Sequence, residues 1–80
     1  MSKTNTPSRP LLKGENLPNK GTYKFTVATN VRTKPGLGHS VVAVYHSGDT
    51  ITYIGKVIAD GYVWLKYISG SGKVRYVAVV

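Results

Sequence analysis

From Gly21 to the C-terminus, β-branched and aromatic residues recur in short runs, separated by turn-forming clusters. That spacing predicts strands rather than helices. Thr22–Val27 reads as a first strand, followed by a loop with short extended pieces around Asn30–Thr33. Pro35-Gly36-Leu37-Gly38 marks a turn, Val41–Tyr45 a short apolar strand, and Ser47-Gly48-Asp49 another turn. A long strand is predicted over Thr50–Ala59. Asp60-Gly61 is the strongest hairpin signal, because a two-residue type I′ turn needs positive φ at both positions. Tyr62–Ser69 is the partner strand, Gly70-Ser71-Gly72 a further hairpin tip, and Lys73–Val79 the last strand. About five short strands with regular turns predict an all-β barrel or sandwich, and a barrel would close the edges of so small a sheet.

The alternation is imperfect where it matters most. In Tyr62–Ser69 one face carries Val63, Leu65 and Tyr67, and the other Tyr62, Trp64, Lys66 and Ile68. A small barrel has one interior, so aromatic residues on the second face are either half-buried or line a groove. Trp64 reads as a packing residue and Tyr62 fits either role.

The chain divides near residue 20. Residues 1–20 hold Pro7, Pro10 and Pro18, no aromatic residue, and only Met1, Leu11, Leu12 and Leu17 as large apolar groups. This composition predicts an extended tail or linker ahead of a domain at 21–80. If the tail has a role, its leucines are expected to dock on a neighbouring subunit.

Composition narrows the function. Eighty residues fit one domain, and 11 Lys or Arg against 3 Asp or Glu give a net charge of +8. Lys3, Arg9, Lys13 and Lys20 against Glu15 place +3 of this on the tail, leaving +5 on the β region. The lack of cysteine removes disulfide scaffolds, thiol chemistry and cysteine-based zinc sites. Apolar runs such as Val41–Tyr45 are far short of the ~20 residues of a membrane helix. The N-terminus has no apolar core of a signal peptide.

Catalytic chemistry is poorly represented. Glu15 lies in the tail and Asp49 and Asp60 in turns, so no carboxylate pair is expected across a cleft. Ser40, His46 and Asp49 supply the letters of a triad without the strand–turn–helix setting that exposes a nucleophile. His39 and His46 have no Glu or Cys between them, and no metal or other cofactor is expected. Lys24, Arg32, Lys34, Lys56, Lys66, Lys73 and Arg75 are interleaved with tyrosines, which suits single-stranded nucleic acid or the anionic polymers of a bacterial wall.

Asn30-Val31-Arg32-Thr33-Lys34-Pro35, Gly48-Asp49-Thr50-Ile51-Thr52-Tyr53, Asp60-Gly61-Tyr62-Val63-Trp64-Leu65-Lys66-Tyr67 and Ser71-Gly72-Lys73-Val74-Arg75-Tyr76-Val77-Ala78-Val79 follow one another in a telling order and spacing. Together they resemble the bacterial SH3 (SH3b) cell-wall-binding domain of phage endolysins and lysostaphin-like bacteriocins. The resemblance covers roughly residues 21–80.

The resemblance implies an SH3-like barrel of about five to seven short strands. It also implies a non-catalytic role, holding a lytic enzyme on peptidoglycan. By motif position it places Lys24, Thr26, Ala28 and Thr29 on one wall of a ligand groove, with Asn30 organising the adjoining loop. Tyr53, Gly55, Val57 and Tyr76 face them, Tyr62 is a further candidate, and Tyr76 is the foremost residue for stacking on a wall peptide. Relatives that grip a glycine cross-bridge tend to be acidic where this chain has Gly55, so the wall type stays open. The implied partners are the peptide stem or cross-bridge of a Gram-positive wall and the catalytic domain or full-length form of an endolysin. No membrane partner is implied. The expected location is the host cytoplasm until lysis, then the wall. A start at Met1 would suit free binding domains that assemble as a homo-oligomer around the enzyme. The alternative is an SH3-like domain that binds nucleic acid.

Overall fold

The computed structural model describes residues 11–80, and all of its regular structure is strand. β1 spans Gly21–Lys24, β2 Thr29–Arg32, β3 Val41–Tyr45, β4 Thr50–Ala59, β5 Tyr62–Ile68 and β6 Val74–Ala78. β3 and β4 keep their predicted limits. β1 is shorter than predicted because the chain leaves the regular ladder at Phe25. There the Phe25 N–H donates to the Asp49 carbonyl at 2.8 Å and its own carbonyl accepts from Gly48 N–H at 2.8 Å. The Asp60-Gly61 turn has φ of 51° and 79°, the left-handed pair that a type I′ hairpin requires.

All pairings are antiparallel and the strand order is β1-β4-β5-β6-β2-β3. The sheet is curled but not closed, contrary to the expectation of a barrel without edges: β1 and β3 remain edge strands. Side chains bridge the seam instead. Phe25 stacks on Tyr45 with ring centroids 4.8 Å apart and planes at 9°, and Tyr23 meets Phe25 edge-on at 5.1 Å. Tyr45 in turn meets Tyr67 edge-on at 5.9 Å, so β1, β3 and β5 share one aromatic cluster.

The core face carries Val31, Ile51, Tyr53, Val63, Leu65, Tyr67, Val77 and Val79 together with Phe25. A β-bulge between Tyr53 and Gly55 explains the broken alternation in β4. It lets Ile54 drop out of the count, so Tyr53 and then Lys56 and Ile58 share the face of Tyr67, Leu65 and Val63. Without it, Gly55 would take the core face and Lys56 the other.

Residues 11–20 depart from the predicted tail. Leu12 and Leu17 pack on the core of their own domain rather than standing free for a neighbouring subunit. Two turns shape the segment, with Glu15 N–H donating to the Leu12 carbonyl and Leu17 N–H to the Gly14 carbonyl, each at 3.0 Å. Gly14 has φ of 88°, and a Cβ there would come within 2.8 Å of Val79 Cγ1, so only glycine fits. Lys56 Nζ donates to the Glu15 carbonyl at 2.8 Å and the Leu17 carbonyl at 2.5 Å. Proline-rich composition hid this because few apolar residues suffice when a lysine and a tyrosine hold the backbone. The remainder of the expected tail, residues 1–10, lies outside the described residues.

Candidate functional site

Cross-strand partners point to the same side of a sheet, so the registers define the face opposite the core. Gly55, Lys66, Tyr76 and Arg32 form one row across β4, β5, β6 and β2. Val57, Trp64 and Ala78 form the next, and Ala59 and Tyr62 lie beyond. Asn30 lies on this face too, two residues from Arg32 on β2.

A cleft of about 170 Å³ opens on this face. Trp64 and Ala78 form its floor; Ala28, Thr29, Asn30, Arg32, Leu37, Tyr62 and Val80 complete its lining. Trp64 is 1% exposed and its indole N–H donates to the Ala59 carbonyl at 2.8 Å, which locks the ring in place. Two struts hold the wall formed by the β2–β3 loop. Arg32 Nη1 donates to the carbonyls of Leu37 at 3.0 Å and His39 at 2.8 Å, and Leu37 N–H donates to Asp60 Oδ2 at 2.8 Å. Asp60 thus does more than turn the hairpin: its carboxylate ties that hairpin to the loop across the cleft mouth.

The expected groove residues separate into three sets. Ala28, Asn30 and Tyr62 line the cleft, and Gly55, Val57 and Tyr76 lie on the same face of the sheet. Lys24, opposite Thr50 on β1, and Thr26 are exposed but outside the cleft lining. Tyr53 requires correction, while Thr29 stays in the cleft lining with a buried side chain. Tyr53 is 1% exposed in the core and its phenol donates to the Pro18 carbonyl at 3.0 Å. Thr29 contributes to the lining but is 6% exposed, with its hydroxyl donating to the Val27 carbonyl at 3.0 Å. The strand period puts Tyr53 on the side of Ile51, so its burial was readable from β4 alone.

Arg32, Leu37, Trp64, Ala78 and Val80 line the cleft without having been expected to bind. The strand period carried the signal for most of them, since 30 and 32, 62 and 64, and 78 and 80 fall on common faces. Leu37 had no such signal, because a loop residue is placed only by the Arg32 and Asp60 struts. A smaller cleft of about 150 Å³ lies on the other side of β4, between Glu15, Asn19, Lys56, Val57, Ile58 and Val63.

The carboxylates have structural partners. Glu15 Oε1 accepts from Leu12 N–H at 2.9 Å, Asp49 Oδ2 from His46 N–H at 2.8 Å, and Asp60 from Leu37 N–H. Among the described residues no group of three or more His, Asp or Glu side chains could hold a metal ion. Burial holds the Tyr67 phenol above its ordinary range, reinforced by a hydrogen bond with Tyr45, and burial also raises Tyr23.

The profile of the bacterial SH3 domain matches residues 15–79. The chain belongs to the bacterial SH3 domain family. The match begins inside the segment 11–20, in keeping with the packing of that segment on the core. Over 77 residues the chain is 35% identical to "Probable autolysin PH" of Staphylococcus aureus, covering 90% of this chain and 16% of that protein. The lysostaphin SH3b domain, solved as a P4-G5 complex, superposes with a TM-score of 0.71 at 27% identity, covering 74% of this chain and 64% of that one. The cell wall binding domain of the staphylococcal phage 2638A endolysin superposes with a TM-score of 0.69 at 27% identity, covering 74% of this chain and 67% of that one. The all-β SH3b fold is thereby shared, while the chain spans a small part of the autolysin.

Proposed function

We propose that this domain binds bacterial peptidoglycan without cutting it and so holds a peptidoglycan hydrolase, of the phage endolysin kind, on its substrate. The observation that carries the reading is the cleft opposite the core. The ring of Tyr62, the exposed amide of Asn30 and the half-buried Tyr76 lie on one side of the sheet, over a floor formed by the buried Trp64. Such a surface holds an extended peptide by ring contacts and hydrogen bonds. The family's solved members support the same reading: one was captured with P4-G5 and another is a cell wall binding domain. The groove residues on this proposal are Ala28, Asn30, Gly55, Val57, Tyr62 and Tyr76, with Lys24 and Thr26 at its approach. The wall peptide stem or cross-bridge is the ligand. Such a protein resides in the host cytoplasm until lysis opens the way to the wall.

The test is co-sedimentation of the purified chain with purified Gram-positive walls, stripped or not of teichoic acid, with release of labelled wall fragments measured in parallel. Binding without release is expected. Loss of wall binding alongside RNA binding that falls steeply with salt would overturn the reading in favour of a nucleic-acid domain.

A further inference from the structure

The row Gly55–Lys66–Tyr76–Arg32 has a charge pattern that the wall-binding reading leaves unused. Gly55 has no side chain, and a Cβ placed there would lie 3.8 Å from both Cβ and Cδ of Lys66. The half-buried Lys66 stem therefore lies over the bare backbone of Gly55, on the β4 flank, with Tyr76 its cross-strand neighbour on the β6 flank. Lys66 has no carboxylate partner among the described residues. Across Tyr76 stands Arg32, whose Nη1 is held by two loop carbonyls. Adjacent strands lie about 4.8 Å apart, so one aromatic ring sits between two cations on its flanking strands. The nearest acid along the cleft, Asp60, is engaged by Leu37 N–H.

We infer that Lys66, exposed by Gly55 and backed by Tyr76 and Arg32, is an anion subsite of the groove that takes a carboxylate on the bound wall peptide. The inference rests on the wall-binding reading and adds the charge of the ligand to it. A peptide lying on Tyr76 brings its carboxylate into the reach of a cation whose stem is already fixed, so little side-chain freedom is lost on pairing. A polyanion such as a teichoic acid offers repeated charges that the exposed lysines elsewhere, Lys20, Lys24 and Lys73, meet equally well. The Gly55 notch and the flanking ring favour a single planar group on a peptide. Gly55 is then a specificity position: a carboxylate there would satisfy Lys66 internally and remove the subsite.

The full chain and its Lys66→Gln and Gly55→Glu variants would be titrated against three wall preparations. These are untreated walls, walls stripped of phosphodiester polymers with hydrofluoric acid, and stripped walls whose carboxylates are converted to amides with carbodiimide and ammonium. Melting temperatures verify folding, and Lys66→Met, which keeps most of the stem, replaces Lys66→Gln if that variant melts early. The expected result is unchanged affinity on stripped walls, and a roughly tenfold loss on amidated walls. The variants should show a similar loss on stripped walls and no further loss on amidated ones. Equal affinity for stripped and amidated walls, or variants that bind like the parent, overturns the subsite. Loss of binding on phosphodiester removal assigns the charge recognition to a polyanion and overturns it as well. Failure of the parent to bind any wall would refute the wall-binding reading itself, a different outcome.

Discussion

The Tyr53 phenol donates to the Pro18 carbonyl at 3.0 Å, joining the middle of β4 to a segment 35 positions earlier in the chain. Its ring lies among the core side chains, so the hydroxyl looks toward the N-terminal segment and away from the cleft. Tyr53→Phe is expected to lower stability by about 1 kcal/mol, the net worth of one hydrogen bond. Tyr53→Ala should cost about 3–5 kcal/mol through the cavity it leaves. Denaturant unfolding measures both. Full stability with weakened wall binding in Tyr53→Phe would return the phenol to the groove.

The same segment sets the working boundary of the domain. Leu12 and Leu17 pack on the core and Lys56 holds two backbone carbonyls of residues 15–17. A chain starting at residue 21 loses both leucines and leaves Lys56 without these acceptors. Its melting temperature should fall by more than 10 °C, since about 1 kcal/mol moves a domain of this size by about 4–8 °C. Equal melting of the 21–80 chain would show that the segment is a passenger.

Much of the fold was legible because the turns are strongly coded. Asp60-Gly61 fixed the β4–β5 hairpin, and the strand limits of β3 and β4 followed from glycine-rich punctuation on either side. The site was legible only as far as strand period reached. Asn30, Tyr62 and Tyr76, candidates from motif position and strand pattern, share one face of the sheet. Motif position sends Tyr53 to the groove, whereas the strand period sends it inward with Ile51. The segment 11–20 was misread because its order depends on partners far along the chain, Lys56 and Val79, which local composition does not report. The Arg32 and Asp60 struts are of the same long-range kind.

Asp60 ties the hairpin to the cleft wall, so a change there separates two roles. Asp60→Asn keeps a side chain that tolerates positive φ in the turn. It replaces the charged acceptor of Leu37 N–H with a neutral one. Stability should drop by about 1 kcal/mol, and hydrogen exchange of the Leu37 amide should quicken by about an order of magnitude. Wall affinity should fall by a few fold as the loop loosens. An unchanged Leu37 exchange rate would show that the strut does not order the loop.

Tyr67 gives the domain an alkaline limit. Burial first, and the Tyr45 hydrogen bond second, raise its phenol above the ordinary value of 10.0. The folded state therefore keeps this proton where the unfolded chain has begun to lose it. The sign follows: the contribution is complete below pH 10 and declines as the pH rises beyond it. Tyr23, raised by burial, acts in the same direction. Tyr67→Phe should be less stable than the parent at pH 8 by about 1 kcal/mol, having lost a hydrogen bond. The gap should narrow between pH 10 and 11.5, because Tyr23 weakens both chains and Tyr67 weakens only the parent. Melting curves of the two that stay parallel across that range would assign the alkaline loss elsewhere.

Tyr76 decides whether the face opposite the core is the binding face. Its neighbour Val77 is fully buried and holds β6 to the core, so the strand does not depend on the Tyr76 ring. The ring is half-buried, beside Lys66 and Arg32, on the side shared with Gly55 and Trp64. Truncation to alanine removes an aromatic platform and leaves the hydrogen-bonded ladder intact. Wall affinity should fall by at least tenfold, as expected for an aromatic anchor near the centre of a contact. The melting temperature should fall by only about 4–8 °C, the equivalent of roughly 1 kcal/mol. Tyr76→Phe separates the ring from its hydroxyl: retained affinity assigns the contact to the aromatic face. If Tyr76→Ala loses most of its stability along with its binding, the ring belongs to the packing of the sheet, and the ligand must lie elsewhere on the domain.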